Sequence, residues 1–138
     1  MSKSTSKSNC GIVPSTDISC NALSCGYGVS LPSSQVTQAT SVTTAVTANN
    51  LSGIITCFTS TLAAQTAESF VVNCSNVVAG DRILVSIINY TGDYGTNGLP
   101  CVAVNGVGSG TFTIAKYNAD TDTALSGVVQ ISYLIIKS

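Results

Sequence analysis

From Val36 onward, hydrophobic and polar positions alternate with the period of two that marks extended chain. Val42, Thr44 and Val46 share one face of a first segment, and Thr43, Ala45 and Thr47 the other, before Asn49-Asn50 interrupts the pattern. Residues 53–62 and 69–74 follow as candidate strands, the second with Phe70 and Val72 on one face. The stretch 63–68 between them predicts a hairpin connection. Ala79-Gly80-Asp81 reads as a turn in which the Asp81 carboxylate hydrogen-bonds nearby backbone. Residues 82–90 (RILVSIINY) form an almost unbroken apolar run, the signature of a central strand covered on both faces.

After a glycine-rich loop at 91–98, residues 99–107 make the next strand, with Val102 and Val104 in alternation and Asn105-Gly106 as a bulge or an early end. Gly108-Ser109-Gly110 is a tight connection. Residues 111–117 then place Phe112 and Ile114 on one face and Thr111, Thr113 and Ala115 on the other. The polar loop 118–123 leads to the last strand, 128–136. There Val129, Ile131, Tyr133 and Ile135 share an apolar face, while Leu134 and Ile136 make the other face apolar at its end. That second apolar patch predicts a strand leaving a sheet edge for a further contact. About seven to eight strands, spaced about 8–12 residues apart with no helical period, predict a single all-β sandwich, jelly-roll or immunoglobulin-like. It is expected over residues 36–138. Residues 1–35, rich in Ser, Asn, Gly and Cys with no sustained period, read as an extended N-terminal arm unable to bury a core of its own.

Composition narrows the function. The chain has 138 residues, of which 44% are hydrophobic and only 8% charged, where about 25% is usual. The net charge is −1, without the clustered Lys and Arg that a nucleic-acid binder needs. No apolar run approaches the roughly 20 residues of a membrane-crossing helix, so no membrane insertion is expected. Residues 1–9 carry two lysines but no apolar segment follows them, so no secretory signal is expected either.

Histidine is absent, which removes the commonest general base and metal ligand. Serines and threonines therefore have no imidazole to activate them, and Lys116, at the end of an alternating strand, reads as a solvated strand end. No catalytic residue, metal or cofactor is expected. Asn118, Asp120 and Asp122 resemble the opening of a calcium loop but lack a closing glutamate, and read as a polar turn. Tyr90 and Tyr94, beside the 92–98 loop, offer a shallow aromatic surface for a glycan.

Six cysteines, Cys10, Cys20, Cys25, Cys57, Cys74 and Cys101, are candidates for disulfides or cross-links formed after the protein leaves the reducing cytosol. Cys57, Cys74 and Cys101, which lie in apolar stretches, also read as buried free thiols. No C-x2-C pair supports a zinc site. A symmetric hairpin about Gln65 and Thr66 would set Cys57 opposite Cys74, about 4.5–5.5 Å apart at Cα and within disulfide range.

One ordered series of short motifs is more specific than any of these features. It runs S-F-x-V-N (69–73), V-x-A-G-D (77–81), V-S-I (85–87), Y-T-G (90–92), G-x-P (98–100), G-x-F-T-I (110–114), then A-L-x-G (124–127) and an apolar terminal strand. Across about the last hundred residues the chain resembles small β-sandwich virion structural proteins of tailed phages and large DNA viruses, of the minor capsid, decoration or fibre type. The resemblance implies a non-enzymatic structural subunit made in the host cytoplasm and located in the virion, at the particle surface or in its shell. It implies self-association, trimers included, and contacts with other capsid or fibre proteins. It supplies no catalytic residues. The arm would anchor the subunit to its neighbours. The alternative expectation is a glycan- or receptor-binding module at a fibre tip or cell surface.

Overall fold

The computed structural model describes residues 30–138, and Cys10, Cys20, Cys25 and most of the expected arm lie outside the described residues. Eight strands form two four-stranded sheets. They are β1 (Ser33–Thr37), β2 (Val46–Thr47), β3 (Ser52–Thr56), β4 (Ala67–Asn73), β5 (Arg82–Tyr90), β6 (Pro100–Gly108), β7 (Thr111–Asn118) and β8 (Val129–Ile136). The first sheet has the order β1-β3-β8-β5 and the second β2-β4-β7-β6. The expected all-β sandwich is what forms, and β1 begins inside the stretch read as arm.

Only β6 and β7 are consecutive strands paired as a hairpin. The other antiparallel partners nest: β3 pairs with β8, and inside that pair β4 pairs with β7. This nesting is the winding of a jelly-roll and differs from the ABED/CFG order of an immunoglobulin domain. The short β1 and β2 then add in parallel, to β3 and β4 respectively.

Alternation on each strand turns one face inward. Val46, Phe70, Val72, Phe112 and Ile114 from the second sheet meet Ile55, Ile131, Tyr133 and Ile135 from the first, all buried. Phe112 and Tyr133 touch across the sandwich, tilted at 54° with centroids 5.6 Å apart. Tyr133 lies over Gly53, where an added Cβ would come within 2.5 Å of the ring. Its hydroxyl donates to the Asn50 carbonyl at 3.0 Å, so the largest core side chain keeps its polar tip satisfied.

Several sequence expectations are corrected. The segment 42–47 is a strand only at Val46–Thr47. The preceding residues turn instead, because the buried Gln38 amide donates to the Val42 and Thr44 carbonyls at 3.1 and 2.9 Å. Ser41 N–H also donates to the Thr44 hydroxyl. The expected hairpin at 63–68 does not form, since this connection carries the chain from the first sheet to the second. Gln65 takes a left-handed φ of 55° there and donates its N–H to the carbonyls of Asn118 and Asp120. The last strand is not at an edge: β8 is central, between β3 and β5. β5, expected to be central and doubly covered, is instead an edge strand with no fully buried residue.

Candidate functional site

The polar and reactive groups fall into four places: the interior at one end of the sandwich, the loops at that same end, the opposite end, and the outer surfaces of the sheets.

The interior group follows from the alternation of β7. Phe112, Ile114, Lys116 and Asn118 share one face, so the same period that buries the two apolar residues also buries the two polar ones. Lys116 is thus not a solvated strand end. Its side chain is 4% exposed and its Nζ lies 2.5 Å from the carboxylate of Glu68, the residue directly opposite on β4. The Ser60 hydroxyl approaches the same carboxylate at 3.5 Å. Cys57 is buried nearby, and desolvation pushes its thiol up to about 11, with the lysine's charge offsetting only part of that. A protonated, enclosed thiol is a poor nucleophile.

Asn118, fully buried, is a hub that the sequence reading missed. Its Nδ2 donates to the carbonyls of Leu62 and Thr123, at 3.1 and 2.9 Å. Its Oδ1 accepts from the N–H groups of Leu99 and Asp120. One side chain thereby ties three loops together. Asp120 in turn accepts from the N–H groups of Asp122 and Thr123, which hold its carboxyl below the usual range. Asn118 and Asp120 are therefore engaged with backbone donors, as the expected polar turn requires, while the Asp122 carboxylate accepts from the Thr121 hydroxyl. No group of three or more metal-ligating side chains occurs among the described residues.

Tyr90 and Tyr94 do come together, with centroids 5.3 Å apart. The Tyr90 hydroxyl shares its proton between the carbonyls of Asn97 and Ser126, at 2.5 and 2.9 Å, so it is a loop anchor. Tyr94, 63% exposed, is the aromatic that faces solvent.

Cys57, Cys74 and Cys101 are free thiols, the first two buried and the third exposed. The register that would have opposed Cys57 to Cys74 is absent, because β3 and β4 belong to different sheets. At the other end of the sandwich, the buried Asp81 accepts from the N–H groups of Val78 and Ser138, each at 3.0 Å, and from Lys137 Nζ. The expected turn role is met. The Lys137 bond, ahead of the backbone donors, holds the carboxyl well below the usual range.

The outer faces carry almost no charge. On the second sheet, Ala67, Ser69, Val71, Cys101, Ala103, Thr113, Ala115 and Tyr117 point outward. On the first, the outward rows combine Ser52, Leu134 and Leu84, then Ile54, Ser132 and Ser86, with Arg82 beside Ile136 as the one charged residue. Leu84 is 56% exposed and Ile88 49%. Asp93 and Asp122 are exposed in the loops at the Tyr90 end. No cavity is present among the described residues.

No family model, no curated protein and no solved structure matches the chain.

Proposed function

We propose that this chain is a non-enzymatic structural subunit of a virion, of the minor capsid, decoration or fibre type, which assembles through the faces and edges of its sandwich. The observation that carries the reading is the distribution of charge. Two of the cations are committed to ion pairs with Glu68 and Asp81, while the broad outer faces present aliphatic, alanine, serine and threonine side chains. Surfaces depleted of charge are suited to burial against other protein, since little desolvation cost opposes contact. The ordered motifs of residues 69–136 support the virion setting by resemblance.

The N-terminal segment acts as the anchor in this reading. Removing residues 1–29 leaves β1 and every described contact in place, so the truncated subunit is expected to fold but to lose incorporation into particles. Quantifying the subunit in purified particles checks this, and normal incorporation would reject the anchor. A full-length protein that stays monomeric at high concentration and turns over a small molecule would reject the structural role altogether.

A second reading rests on Tyr94, a solvent-facing ring packed at a tilt against a fixed neighbour, as a contact for a sugar. Glycan-array binding that is lost in Tyr94→Ala would favour a receptor-binding module.

A further inference from the structure

The four sheet edges are not equivalent. β1 is five residues of mostly polar side chains that follow Pro32, and β2 is two residues long. β6 starts with Pro100, which lacks an N–H, and is bulged between Val104 and Gly106. Short strands, prolines and bulges are the devices that keep edges from pairing with other chains. β5 is nine residues long, has neither proline nor lysine, and keeps regular register with β8 from Arg82 to Ile87. Its bulge falls at Ile88, next to its end.

We propose that β5 pairs antiparallel with β5 of a second copy across a two-fold axis at Ser86, joining the two first sheets into one continuous eight-stranded sheet. The inference rests on the self-assembling reading above and names the edge that carries it. A two-fold at Ser86 sets Leu84 opposite Ile88 of the other copy, and Ile88 opposite Leu84. These outward-facing aliphatics are the two most exposed on the strand, and each covers the other.

The charges agree with this register. Arg82 forms no ion pair among the described residues, and the pairing brings its end of β5 toward the end followed by Asp93 in the other copy. Asp93 is exposed and also without an ion pair among the described residues. Both contacts occur twice, as a two-fold requires. Moving the axis toward Arg82 sets Leu84 against Ser86 or against itself and shifts Arg82 away from Asp93, while moving it to Ile87 sets Ile88 against Ser86 and carries Arg82 past the end of the strand.

The test uses the full-length protein in sedimentation experiments from low to high micromolar concentration. The native chain is expected to associate reversibly. Leu84→Lys combined with Ile88→Lys places like charges opposite one another and is expected to weaken association at least roughly tenfold. Leu84→Lys combined with Ile88→Glu restores an attractive pair only if the strand faces its own copy, and is expected to recover association with a new salt dependence. Both pairs of substitutions are solvent-facing, and thermal unfolding of each variant confirms that the fold persists.

Association that ignores the Lys/Lys variant would overturn the β5 contact while leaving self-assembly standing. Loss of association in both variants would mean that another segment fills the edge, which also overturns the inference. A native chain that is monomeric throughout would overturn the inference together with the reading on which it rests.

Discussion

The two ends of the sandwich each hold a lysine–carboxylate pair, and the two pairs work by different physics. Lys116 and Glu68 lie between the sheets, with side chains 4% and 12% exposed, and among the described residues the weak contact from Ser60 is the only other hydrogen bond to the carboxylate. At the opposite end Asp81 is fully enclosed while Lys137 is 45% exposed, and two backbone N–H groups share the carboxylate. In the first pair each charge depends chiefly on the other, because burial leaves little water to solvate either. In the second the aspartate is a turn-forming acceptor that the lysine supplements. Identical chemistry therefore makes one end sensitive to losing a partner and the other sensitive to gaining a proton.

The largest effect is expected from Lys116→Ala, which strands the Glu68 carboxylate and should cost about 3–5 kcal/mol. Chemical denaturation would show it as a lower midpoint. Replacing both partners, Lys116→Met with Glu68→Leu, should return stability to within about 2 kcal/mol of native or above it. A double variant as unstable as the single one would show that the pair is not what the position requires. Asn118→Ala, at the same end, is expected to cost about 3 kcal/mol, since it leaves buried backbone donors and acceptors unpaired.

At the Asp81 end the expected signature is a pH dependence. The carboxyl titrates lower in the folded chain than its ordinary 3.8, so its contribution is complete above that value and is lost as pH falls below it. Thermal unfolding of the native chain should decline on acidification below about pH 4 more steeply than that of Asp81→Asn, and the two should converge. Parallel curves would remove Asp81 from the acid response. The smallest effect is chemical. With its thiol at about 11, Cys57 is roughly one thousandth thiolate at pH 8, so the exposed Cys101 should alkylate first by mass spectrometry. Equal rates would contradict the enclosure of Cys57.

Much of the fold was legible in the alternation. Phe70 with Val72, Phe112 with Ile114, and Val129, Ile131, Tyr133 and Ile135 all face the core as the period of two implies. The same period carried four residues further would have placed Lys116 and Asn118 inside, against the expectation that charge marks a solvated end. What local pattern could not supply was partnership. The run at 82–90 fits a strand covered by protein on both sides, whether by its own chain or by another. The pairing of β3 with β8 spans most of the domain and leaves no mark at residues 57–69. Gln38 was invisible for the same reason: its partners, Val42, Thr44 and Phe58, are set by a fold already formed.

The insertion of β8 between β3 and β5 also dictates when this chain can acquire its shape. β5 has no neighbour in its own sheet until Val129–Ile136 have been made, so the first sheet closes only after β8 is available. The non-local pairings place refolding on a scale of about milliseconds to seconds. During that interval an unpaired β5 is open to any extended segment nearby, so chaperone capture or early encounter with a sister chain would act on this strand first.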